Sequence, residues 1–156
     1  MAKSEPMITH EEFVAIRDSD APFTDHYNFQ TDEILHGECT VRLPYDIKHV
    51  RPGGTICGPA MFALADYAMW LAVLSAVGPV PLAVTTNMNI NFLRKPSNTD
   101  LICKTRLIKL GKRLAKVRKS RGPRPVDQIV TEIYGGLHMK ESLCEVRGLA
   151  KAYGDN

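Results

Sequence analysis

Apolar and polar positions alternate from Cys39 to Tyr45, with Cys39, Val41, Leu43 and Tyr45 set against Thr40, Arg42 and Pro44. This period of two predicts a strand with one buried face. Residues 27–45 as a whole read as two strand segments, with Gly37 marking a turn or bulge between them. The pattern then changes: from Pro59 to Val77 the only charge is Asp66, and apolar residues fall on every side of a helical projection. A helix without a polar face must be wrapped by the rest of the chain. Gly78-Pro79-Val80-Pro81 supplies the stop. Period two resumes at Leu82, Val84, Met88, Ile90 and Phe92, alternating with Thr85, Asn87, Asn89 and Asn91, which predicts one face against the helix and a polar face elsewhere.

Further strands are expected at residues 101–110, 113–117, 129–134 and 143–150, with turns at Lys95 to Asn98, Gly111-Lys112 and Gly135-Gly136. The run 118–128 has two prolines and no period, and reads as an exposed loop. At the start of the chain Thr9 and Glu12 form a capping-box pattern, flanked by Ile8 and Phe13 as a hydrophobic staple, so a short helix with Phe13 and Ile16 buried is predicted. The order is α+β: a short N-terminal helix, two strands, a long buried helix, then antiparallel strands able to curl around that helix.

Length and composition fit one domain over residues 1–156, since 44% apolar content supplies a core and no repeat or linker divides the chain. The four cysteines are widely spaced, without metal-site or disulfide-framework spacing, and the first residues lack an apolar signal region, so a cytoplasmic setting is expected. Residues 56–77 are long enough to span a bilayer, but a central Asp costs about 2.5–3.5 kcal/mol on insertion scales, and a soluble β-rich domain is the better reading. Residues 101–126 contain ten basic residues and no acids, leaving the rest of the chain net acidic. Such a run attracts phosphates or merely keeps strand edges solvated; without a base-reading motif it makes no case for nucleic acid.

Asp66 is the first candidate for chemistry, because an acid within an apolar helix demands partners and suits acid/base or nucleophilic work. The five histidines have no metal-ligand spacing, and His49 lies nearest in sequence to the helix entry.

Residues 51–66 followed by 83–92 resemble the hotdog-fold acyl-CoA thioesterases of the phenylacetate-degradation type, whose pattern is roughly N-x-x-G-x-x-H-G-G, then L-A-D, then a strand ending near D-M-N-I. Here the pattern reads Arg51, Gly54, Cys57, Gly58 and Pro59, then Leu64-Ala65-Asp66, then Asn87-Met88-Asn89-Ile90. The spacing from glycine to acid is kept, while Arg51 and Cys57 replace the family's Asn and His. Weaker similarity runs from about Tyr27 to the C-terminus, including Gly111-Lys112-Arg113-Leu114-Ala115 and Glu132-Ile133-Tyr134.

The resemblance implies a curved antiparallel sheet wrapped around the central helix and hydrolysis of an acyl-CoA thioester without a cofactor or metal. Asp66 takes the part of base or nucleophile, the Gly58 N–H at the helix mouth that of oxyanion donor, and Thr85 that of a hydroxyl orienting water. Arg51, Gly54 and Cys57 fall at substrate-binding positions, with Cys57 read as packing rather than as a nucleophile. Arg113, Arg118 and Arg121 are the candidates for the CoA phosphates. A non-catalytic acyl-CoA or acyl-carrier binder of the same fold is the alternative. Gly58 and Asp66 are eight residues apart, hence about 12 Å along one helix and about 80° around it. Two chains packed antiparallel are expected to complete each site, as a homodimer or a dimer of dimers.

Overall fold

The computed structural model describes residues 4–110, 124–135 and 144–152. Helix α1 spans His10–Asp20, and both arms of its capping box form: the Glu12 N–H donates to Thr9 Oγ1 at 3.2 Å and the Thr9 N–H to Glu12 Oε2 at 2.8 Å. Ile8 and Phe13 are both buried in the core. A 3-10 turn, Pro22–His26, leads into β1 (Gln30–Leu35) and β2 (Glu38–Leu43), joined at Gly37, whose φ of 70° explains the glycine. In β2, Cys39, Val41 and Leu43 are buried, and the strand stops before Tyr45, which is exposed.

After a second 3-10 turn, Ile47–His49, the two-residue strands β3 (Val50–Arg51) and β4 (Thr55–Ile56) make a small hairpin. Helix α2 follows over Gly58–Val77, then β5 (Ala83–Phe92), β6 (Leu101–Leu110), β7 (Arg124–Gly135) and β8 (Cys144–Ala152). The main sheet has the order β1-β2-β6-β7-β8-β5, every neighbouring pair antiparallel. α2 packs against the inner side of this sheet. Leu64, Leu71 and Leu74 of the helix join Val41, Leu43, Leu101, Cys103, Ile133 and Val146 of the strands in one core. α2 is long and apolar enough to cross a membrane, but its burial is that of a core helix.

The structure departs from the sequence expectations at three places that bear on function. First, α2 is not wrapped on all sides. Pro59 and Phe62 are exposed and Ala63, Asp66 and Trp70 half-buried, so a stripe at three- and four-residue spacing lies open. Second, the alternation in β5 does not run unbroken, because its pairing with β8 shifts register between Thr85 and Asn87. This bulge adds one residue and reverses the phase. Ala83 and Thr85 are half-buried before it and Met88 and Ile90 after it, while Leu82 and Val84 are exposed. Third, the expected loop at 118–128 is strand from Arg124 onward. Repeated register shifts at Leu107 to Leu110 and between Val126 and Ile129 break the regular period there. The expected strand at 113–117 and the rest of the loop, up to residue 123, lie outside the described residues.

One polar contact ties the halves together. Ser75, fully buried on α2, accepts the Gly37 N–H at 2.9 Å and donates to the Ala72 carbonyl at 2.8 Å, while the Leu107 N–H donates to the Gly37 carbonyl at 2.8 Å.

Candidate active site

The mouth of α2 is built by the hairpin before it. Gly53 and Gly54 have φ values of 94° and 72°, a conformation that favours glycine, and the Gly54 N–H closes the turn on the Arg51 carbonyl at 3.0 Å. The Cys57 N–H then donates to the His49 carbonyl at 2.8 Å, fixing where the helix begins. Cys57 is the N-cap, with no side-chain capping bond, and its side chain packs half-buried on the core. Gly58 is the first helical residue. An N–H in the first turn has no partner within the helix, and Pro59 has none to offer, so the Gly58 N–H stands at the positive end of the helix dipole. A Cβ at Gly58 would lie 3.4 Å from the Phe92 ring, an ordinary van der Waals contact, so Phe92 rests beside this mouth.

Two turns further on, Asp66 occupies the open stripe. The Thr85 hydroxyl donates to Asp66 Oδ1 at 2.7 Å, the length of a charge-assisted bond. The β5 bulge makes this contact possible by bringing Thr85 to the helix side of the strand. Asn87, Asn89 and Asn91 are exposed and alternate with Met88 and Ile90, which pack on the core.

Three adjoining hollows run along the open stripe. The first, about 440 Å³, lies at the helix mouth between Arg51, Gly58, Met61, Arg94, Lys95 and Pro96. The second, about 590 Å³ and mainly apolar, is bounded by Gly58, Phe62, Ala63, Asp66 and Phe92 on one side and by Phe23 and Tyr27 on the other. The third, about 280 Å³, adjoins Asp66, Thr85, Tyr67, Trp70 and Ala83. Burial pushes the Tyr67 phenol above its ordinary value, against the opposing pull of Arg17, so it remains a neutral hydroxyl. Burial likewise lowers the His49 imidazole, which stacks on Tyr27 at 5.4 Å between ring centres and supports the hairpin behind the mouth.

Among the residues picked from the sequence, Asp66 and Thr85 are thus brought into contact, and Gly58 shares the second hollow with Asp66. Arg51 lines the first hollow, whereas Gly54 is an exposed turn residue and Cys57 a packed cap. Arg113, Arg118 and Arg121 lie outside the described residues. Arg94 and Lys95 were missed, although a basic pair directly after a strand and before Pro96 was there to be read. Phe23, Phe62 and Phe92 were missed too, because in an apolar helix or an irregular turn nothing distinguishes a lining aromatic from a core one. Among the described residues no three His, Cys, Asp or Glu side chains gather as a metal site.

The antiparallel sheet around a single long helix, with an acid and a glycine on that helix, defines a hotdog-fold protein of the thioesterase class. The Thioesterase superfamily profile matches residues 53–118. The chain is 30% identical to a provisionally assigned thioesterase from Silicibacter sp. TM1040, whose crystal structure superposes over 94% of this chain and 93% of that one with a TM-score of 0.75. The PaaI protein of the E. coli phenylacetic acid degradation operon shares the fold, with 18% identity, a TM-score of 0.68 and 94% of each chain covered. A protein of Thermoplasma acidophilum named provisionally as an esterase is 27% identical over 95 residues, 61% of this chain and 71% of that protein. The chain belongs to the thioesterase superfamily.

Proposed function

We propose that the protein hydrolyses an acyl-CoA thioester to the free acid and CoA. The observation that carries this reading is the Asp66–Thr85 hydrogen bond on a stripe of α2 that the described residues leave partly uncovered. Asp66 removes a proton from water as the water oxygen attacks the thioester carbonyl carbon, or attacks that carbon itself to give an anhydride that water then opens. Thr85 holds the carboxylate in place, and its oxygen can still accept a hydrogen from the attacking water. The carbonyl oxygen becomes an oxyanion and needs a donor about 3 Å away, which the Gly58 N–H of a second copy supplies. Within one chain the two groups are about 12 Å apart along the helix, too far to act on one atom. When the tetrahedral centre collapses the C–S bond breaks, and the departing thiolate takes up a proton to give CoA. The phosphates of CoA are met by Arg51, Arg94 and Lys95 at the helix mouth.

The second reading, an acyl-CoA binder without turnover, is favoured by Arg51 and Cys57 at positions where the resembling enzymes have Asn and His. A panel of acyl-CoA thioesters assayed for free thiol separates the two. Turnover is expected, and Asp66→Asn should lower kcat by about 100-fold or more while KM changes little. Tight binding with no thiol released establishes the binder, and near-normal turnover by Asp66→Asn removes Asp66 from the chemistry.

A further inference from the structure

His49 is the last residue of the short 3-10 turn Ile47–His49, and both of its backbone groups are bonded. Its N–H donates to the Asp46 carbonyl at 3.0 Å, and its carbonyl accepts the Cys57 N–H at 2.8 Å. Its ring is 3% exposed, stacked on Tyr27 at 5.4 Å and set edge-on to His26 at 5.8 Å between ring centres. Neither ring nitrogen has a hydrogen-bond partner among the described residues. One residue thus ties the segment that carries His26 and Tyr27 to the residue that precedes Gly58. The Cys57 and Gly58 N–H groups are separated by a single φ and ψ pair, so the first bond aims the second N–H.

Resting on the hydrolase reading above, we propose that His49 is a positioning residue for the Gly58 N–H: its neutral ring holds the helix mouth in place, and a proton on the ring releases it. An imidazolium in this slot carries its charge away from water. The titratable groups around the ring are Asp46 and Lys48 on its own turn, His26 and Tyr27 on the opposite segment, and Cys57 at the helix start. Burial is the largest influence and lowers the imidazole; Lys48 and the His26 ring lower it further, while Asp46 and the His26 backbone oppose them. Asp46 is already engaged, accepting the Lys48 N–H at 2.9 Å and pairing with Lys48 Nζ at 3.3 Å. With its ring in water, His49 titrates near the ordinary value of about 6.5. The released conformation therefore binds more protons. The mouth is fully held above about pH 6.5 and is lost as pH falls from there towards the lowered value.

The test is hydrogen exchange of the Cys57 N–H, read as protection relative to its intrinsic exchange rate, from about pH 8 to about pH 5. Protection should fall by about tenfold across this window in wild type and stay level in His49→Phe, whose ring stacks but does not titrate. His49→Gln, neutral throughout, should also stay level and serves if the phenylalanine variant does not fold. The Leu74 N–H, in the buried half of α2, should hold its protection in every case. Level protection of Cys57 in wild type, an equal fall at Leu74, or the same fall in a variant without an imidazole overturns the role of His49. In acyl-CoA turnover, the ratio of kcat at about pH 5 to kcat at about pH 8 should be about threefold or more higher in His49→Phe than in wild type, with similar KM values. Equal ratios remove His49 from the positioning of Gly58. If the wild type releases no thiol at any pH, hydrolysis fails as a reading, and the exchange of Cys57 alone decides whether His49 holds the mouth.

Discussion

Thr85 joins strand and helix through one hydroxyl, and that hydroxyl is a donor to a carboxylate rather than a bystander on a polar face. Bonds to charged groups contribute about 1.5–3 kcal/mol, so Thr85→Val should lower kcat by about tenfold to 100-fold, with Thr85→Ser restoring most of it. Equal activity in Thr85→Val and wild type, by steady-state kinetics, would leave Asp66 oriented by something else. The acid itself was legible in the sequence because a single charge in nineteen residues stands out, and the glycine because spacing to the acid is kept. The exposure of Asp66 was not legible. An apolar helix carries no polar face to mark the side left open, and Phe62 at the opening is as apolar as Leu64 in the core.

At the scale of elements, the strands were readable where pairing is regular, as along the β2–β6 pair, and misread in phase or extent where it slips, as in β5 and the start of β7. A bulge is a count of one residue against a partner strand, so it exists in the pairing and not in either sequence alone. The helices were found through their ends: the capping box for α1 and the Gly-Pro signals for α2. Ser75 is the polar exception in the second half of α2, and its role needs Gly37, thirty-eight residues away, to be seen. Ser75→Ala removes the acceptor of a buried N–H and should destabilise the fold by about 1–3 kcal/mol in denaturant titration, with kcat at low denaturant nearly unchanged. A loss below about 0.5 kcal/mol would mean that water or a backbone shift satisfies Gly37 instead.

For the whole molecule, the proposed site predicts complementation. An inactive Gly58→Val chain, in which the added side chain stands at the helix mouth beside the Phe92 ring, mixed with an inactive Asp66→Asn chain should regain one working site of two per heterodimer. Proven subunit exchange with no recovery of thiol release would exclude a site shared between chains. The open stripe of α2, from Pro59 through Phe62 and Asp66 to Trp70, then has a thermodynamic consequence. If a second copy covers it, association binds the folded chain and not the unfolded one, and mass action makes stability depend on the amount of protein present. The melting temperature should rise with concentration, and specific activity should fall on dilution around the same dissociation constant. Both curves, by calorimetry and by initial rates, should move together when Phe62 is changed to Glu, which puts a charge into the apolar cover. A melting temperature indifferent to concentration would make the stripe a solvent-facing feature of a self-sufficient chain.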